Sequence, residues 1–96
     1  MKSNTKMYHL QKNQIISFHG KNNRITCIEG ILWITWPNGF GEVIKEGDEI
    51  TVASKGKICI VAYGDSHFMI EKKARLKNYS YANNRSLHYK IHRPTV

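Results

Sequence analysis

An all-β fold, a small single-domain barrel or sandwich of six or seven antiparallel strands, is what this sequence predicts, on three observations. All seven glycines fall in turn-like stretches, at His19-Gly20, Glu29-Gly30, Asn38-Gly39-Phe40-Gly41, Glu46-Gly47-Asp48, Lys55-Gly56-Lys57 and Gly64-Asp65. Successive turns stand 8 to 11 residues apart, the rhythm of a small sandwich or barrel. The segments between them are short and rich in β-branched and aromatic residues, and none repeats its apolar positions at i, i+3, i+4, i+7 beyond one helical turn.

The strands expected in order are Gln14–Phe18, Arg24–Ile28, Ile31–Trp36, Glu42–Ile44, Glu49–Ala53, Ile58–Tyr63 and His67–Glu71, joined as hairpins. Between the third and fourth, Pro37-Asn38-Gly39 suits a tight turn, because proline presets φ and Asn-Gly tolerates positive φ. Glu46-Gly47-Asp48 supplies a turn of the same character before the fifth. The pattern changes after Glu71. Residues 72–84 are basic, carry Tyr79 and Tyr81, and have no clear period. Ser86–His92 then alternates, with Leu87, Tyr89 and Ile91 on one face, so an extra strand at 86–92 is expected to pack on the body or on a second subunit. The chain thus divides into a β body, 1–71, and a basic C-terminal extension, 72–96.

With 96 residues and 11.1 kDa there is room for one domain, and 41% hydrophobic residues exclude disorder throughout. The longest apolar run, Ile58 to Tyr63, is far shorter than the ~20 residues that span a bilayer, and Met1 to Asn13 has no apolar stretch of the kind a secretory signal needs. A cytoplasmic protein with no membrane association is the expectation. Cys27 and Cys59 are not in a CxxC, so no zinc knuckle or thioredoxin-like motif is present, and their pairing is left open. No Ser/His/Asp or Cys/His nucleophile arrangement and no phosphate-cradling glycine loop stands out.

Charge is unevenly placed. Residues 1–71 hold eight Lys and Arg and all seven acids, whereas Lys72, Lys73, Arg75, Lys77, Arg85, Lys90 and Arg93 follow with no acid among them. Such a tail attracts phosphate-rich partners through counterion release, and Tyr79, Tyr81 and Tyr89 interleave with it as stacking on single strands requires. These seven cations are the candidate nucleic-acid residues. The plainer reading is a basic end that keeps a small domain in solution.

The run Gly30-Ile31-Leu32-Trp33-Ile34-Thr35, followed by a turn and Glu42-Val43-Ile44-Lys45-Glu46-Gly47-Asp48, resembles the cupin superfamily and, within it, a small single-domain cupin-like family known only as a domain of unknown function. The resemblance covers Leu10 to Glu71. It implies a cupin-like barrel or sandwich and no established activity; an SH3-like barrel is the alternative fold. The superfamily's first motif runs Gly, five residues, His, one residue, His, three or four residues, Glu, six residues, Gly. From Gly30 it meets Trp36 and Asn38 in place of the histidines, then Glu42, and Gly47 two residues early. The second motif, begun at Gly56, meets Ala62 in place of proline, then Gly64, His67 on register, and Glu71 in place of asparagine.

The resemblance therefore keeps two metal-ligand positions, Glu42 and His67, and loses the His-x-His pair. No cofactor is expected beyond a weak divalent metal at His67 and Glu42, with Asn38, Glu71 or water completing its sphere. In the same register Leu32, Ile34 and Trp36 point inward and Ile31, Trp33 and Thr35 outward. A pocket lined by Trp36, Phe40, Phe68, Met69 and His67 is then expected, suited to a flat apolar ligand; alternatively these side chains are simply core. On this pattern Trp33 needs a cover, from Leu87, Tyr89 and Ile91 or from a partner subunit. The functional expectation is a non-enzymatic small-molecule or protein-binding module, with self-association to a homodimer. The alternatives are a nucleic-acid-associated protein using the tail and a degenerate metal-dependent cupin enzyme.

Overall fold

Alternating apolar and polar side chains resolve into nine strands in the computed structural model, which describes residues 5–20, 22–37, 39–53, 56–72 and 89–94. They are β1 (Thr5–Leu10), β2 (Ile15–Gly20), β3 (Asn23–Glu29), β4 (Ile31–Trp36), β5 (Phe40–Lys45), β6 (Glu49–Val52), β7 (Gly56–Ala62), β8 (Ser66–Lys72) and β9 (Tyr89–His92). The larger sheet has the order β1-β8-β3-β6-β9 and the smaller β2-β7-β4-β5, with every pair antiparallel. This two-sheet layout replaces the SH3-like alternative.

The links between strands depart from the hairpins expected. Among the described residues only β4 and β5 pair as sequential strands; β1 pairs with β8, β2 with β7, and β3 with both β6 and β8. Turn spacing marks where a strand ends but not which sheet receives the next one, and here the chain crosses between sheets at almost every turn. β1 also lies outside the expected set. Its sequence, Thr5 to Leu10, opens with no glycine turn and exposes most of its length, and it survives as a strand because it borders the larger sheet against β8.

Sidedness follows the alternation. In β4, Leu32, Ile34 and Trp36 are buried while Ile31 and Trp33 are exposed, so the inward and outward sets are those read from the sequence. In β8, Ser66, Phe68 and Ile70 are buried, which turns His67, Met69 and Glu71 to the outside. The core between the sheets is built from such inward positions, including Ile25, Leu32, Ile34, Ile50, Ile60 and Phe68, none of them exposed.

The turn between β5 and β6 is tied to both neighbours. Asp48, 1% exposed, accepts a hydrogen bond from the Lys45 amide through Oδ2 at 3.0 Å, and the Gly47 amide donates to the Cys27 carbonyl at 2.9 Å. After β9, Arg93 donates from Nε to Asp48 Oδ2 at 3.3 Å and from Nη2 to the Val43 carbonyl at 3.1 Å. The segment after β9 is thereby clamped from the larger sheet to the edge of the smaller one. β9 itself pairs with β6, and Ile91 packs against the core. The expected cover of Trp33 is corrected by this placement: Trp33 lies on the outer face of the other sheet and stays 42% exposed, while Leu87 falls outside the described residues.

Candidate functional site

The five side chains expected to share a pocket are placed on different sides of the larger sheet and in both sheets. Trp36 and Phe40 face each other across β4 and β5, with ring centroids 6.1 Å apart at 13°, and close part of the core. Phe68 is fully buried and stacks on Tyr8 at 5.4 Å. Met69 and His67 stand on the opposite, outer face of β8, where Met69 is in register with Met7 and Thr26. The physical reason is the strand period of two: Phe68 cannot share a face with either neighbour.

Glu42 and His67 are likewise not brought together. Glu42 lies on β5 of the smaller sheet, in register with Ile34 and 4.0 Å from Arg93, whereas His67 is on the outer face of the larger sheet. Glu71, the expected auxiliary ligand, is held by Arg24, whose Nε donates to Glu71 Oε1 at 3.1 Å and whose Nη2 bonds the same oxygen. That hydrogen bond, against some opposing desolvation, raises the already high pKa of Arg24. Among the described residues no group of three or more His, Cys, Asp or Glu converges as a metal site. Asn38 lies outside the described residues.

Of the tail cations, Arg93 is engaged by Asp48 and the Val43 carbonyl, Lys72 ends β8 in an exposed position, and Lys90 lies in β9 opposite Thr51. Lys73, Arg75, Lys77 and Arg85 lie outside the described residues.

A cleft does form elsewhere, where β1, β2, β3 and β8 come together. It is a half-open cleft of about 360 Å³. Tyr8, Phe18 and Ile70 supply apolar walls, and Lys6, His19 and Lys72 stand at its rim. Thr5 and Asn23 complete the lining. Asn23 is the unusual member. It occupies the inward phase of β3, ahead of Ile25 and Cys27, is 0% exposed, and neither its Oδ1 nor its Nδ2 has a hydrogen-bond partner among the described residues. Buried carboxamides are nearly always paired, because desolvating one without a partner costs about 1–3 kcal/mol. Gly20 makes the room for it: a Cβ there would come within 2.3 Å of Asn23 Nδ2.

Sequence reasoning missed Asn23 because the expected strand began one residue later, at Arg24. The available signal was phase, a polar residue standing where Ile25 and Cys27 continue an inward alternation. Lys6, Tyr8 and Thr5 were missed with β1 itself.

The two cysteines are free and belong to different sheets, Cys27 in β3 and Cys59 in β7. Burial, aided by the negative charge of Asp48, pushes the Cys27 thiol up to about 11. At pH 8 it is therefore a neutral thiol, and native-state alkylation with iodoacetamide is expected to modify Cys59 well before Cys27, read by peptide mass spectrometry. The linkage sign is also set: the thiol favours the fold below its unfolded value of 9.0, and that contribution is lost as pH rises towards 11.

No family model matches the chain, and no curated protein matches it. Among solved structures, ToxT from Vibrio cholerae is similar at 14% sequence identity with a TM-score of 0.60, over 90% of this chain and 33% of that one. The chain spans about a third of the length of ToxT. Among the described residues no helix is long and apolar enough to cross a membrane. At that identity the likeness speaks to architecture, and with the two antiparallel sheets it shows the fold of this chain to be a small cupin-like β-sandwich.

Proposed function

We propose that this chain is a non-enzymatic cupin-like module that binds a small molecule in the cleft between β1, β2, β3 and β8. One observation carries the reading: the fully buried carboxamide of Asn23, which lines the cleft and has no hydrogen-bond partner among the described residues. The Nδ2 donor suits a carboxylate oxygen, and the Oδ1 acceptor suits a hydroxyl or N–H of the same ligand. Lys6, Lys72 and His19 at the rim favour an anion, and Tyr8 and Phe18 favour an apolar body. The ligand class is thus a small organic acid with an apolar or aromatic part. The likeness to ToxT is compatible with such a module, and the Gly30–Thr35 and Glu42–Asp48 segments resemble the small cupin-like family of unknown function. A metal-dependent enzyme built on Glu42 and His67 is disfavoured because the two lie in different sheets.

Thermal unfolding against a panel of small aromatic and aliphatic acids tests the reading. A ligand at a hundred times its Kd stabilises by about 2.7 kcal/mol, a shift on the order of 10 °C or more for a domain of this size. Asn23→Leu, which keeps the number and branching of side-chain heavy atoms, is expected to abolish that shift while stabilising the free protein by about 1–3 kcal/mol, since it removes a buried amide without a partner among the described residues. A panel without hits, or an Asn23→Leu variant that binds as before, would overturn the proposal.

A further inference from the structure

The outer face of the larger sheet carries a second group of side chains, remote from the chemistry of the cleft. His9 of β1 and His67 of β8 are direct partners in the ladder, and their rings lie parallel, with centroids 4.3 Å apart at 2°. Each ring is held by its own carboxylate. His9 Nε2 is 3.0 Å from Asp65 Oδ1, in the turn before β8, and His67 Nδ1 is 3.1 Å from Glu29 Oε1, at the end of β3. A β-bulge between Cys27 and Glu29 is what carries Glu29 into register with His67. Four side chains from three strands and a turn thus form one continuous arrangement: carboxylate, imidazole, imidazole, carboxylate.

That order has a chemical consequence. A neutral imidazole donates through one nitrogen and offers a lone pair at the other. With Nε2 of His9 and Nδ1 of His67 donating to the carboxylates, the lone pairs fall on His9 Nδ1 and His67 Nε2. A carboxylate that fixes the tautomer and orientation of a histidine ring is the usual outer partner of a metal-ligating imidazole. As stacked, the parallel rings cannot both aim a lone pair at one ion, so binding requires them to turn out of the stack, for which both side chains, exposed by two-fifths or more, have room.

We propose that His9 and His67 form a two-histidine site for a divalent transition ion of the zinc, nickel or copper class, with water in the remaining positions and Asp65 and Glu29 as orienting carboxylates. Imidazole nitrogen selects these ions over magnesium and calcium, which require oxygen. The two carboxylates balance the charge of the ion. The site differs in place and ligands from the one the cupin motifs suggest: His67 is common to both, but its partner is His9 rather than Glu42. It stands independently of the cleft reading.

Zinc chloride titrated into the untagged, metal-stripped full-length chain tests it, followed by long-range ¹H–¹⁵N NMR of the histidine rings and by calorimetry. The expected result is a selective shift of His9 Nδ1 and His67 Nε2, leaving His19 and His92 unmoved. His9→Asn and His67→Asn should each abolish the shift at the other ring, and Glu29→Gln should weaken binding about 10-fold or more. The nitrogens are read in the unsubstituted protein, so the test stands even where a variant fails to fold. Zinc that shifts other histidines, that binds equally well in both Asn variants, or that does not bind would overturn the assignment.

Discussion

Replacing Phe68 by alanine is expected to cost about 3–5 kcal/mol, a large share of the roughly 5–15 kcal/mol that holds a domain of this size together. Phe68 is the largest side chain that is wholly buried among the described residues, and it lies in β8 between Tyr8 of β1 and Cys27 of β3. Its ring stacks on Tyr8 at 5.4 Å and 11°. Truncation leaves a cavity bordered by two strands that are far apart in the chain, and a sandwich whose strands pair over long range cannot collapse locally to fill it. The measurement is urea unfolding with unchanged m-value. Met69→Ala, one residue along on the outer face, provides the contrast, with an expected cost within about 1 kcal/mol. Equal losses at the two positions would contradict the sidedness of β8.

Gly30→Ala is expected to be nearly as damaging, at about 2–5 kcal/mol, from two sources. Gly30 joins β3 to β4 with φ at +95°, in the region that penalises any Cβ. A Cβ there would also come within 2.2 Å of Ser66 Oγ and 2.7 Å of the Asp65 backbone carbonyl. The hydroxyl could rotate; the carbonyl belongs to the turn before β8 and has nowhere to go. The expected readout is a fall in Tm on the order of 10 °C or more. Because Glu29 and Asp65 flank this contact, the same substitution should disturb the paired histidines of the outer face before it disturbs the cleft, visible as loss of the His67 ring shift on zinc addition.

How much of this was legible in the residues differs between fold and site. The β-branched segments between glycine turns marked β2 through β8 because strand propensity, turn chemistry and a period of two are local properties. The register taken from the cupin resemblance placed Trp33 outside and Trp36 inside, as the structure has them. The same locality made β1 invisible: Thr5 to Leu10 is a strand only because β8 pairs with it. The candidate pocket of Trp36, Phe40, Phe68, Met69 and His67 came apart for a related reason, since nearness in a motif does not override the alternation that sends Phe68 and His67 to opposite faces.

The sequence by itself determined the class of the fold, the approximate positions of β2 to β8 and the alternation of side chains within each strand, all properties set within a few residues. Only the tertiary structure decided which sheet receives each strand, that the buried Asn23 meets Lys6, Tyr8 and Phe18 around one cleft, and that His67 answers to His9 and Glu29 rather than to Glu42. Those are pairings between distant segments, chosen by how two twisted sheets bury their common core, and no local pattern carries that choice.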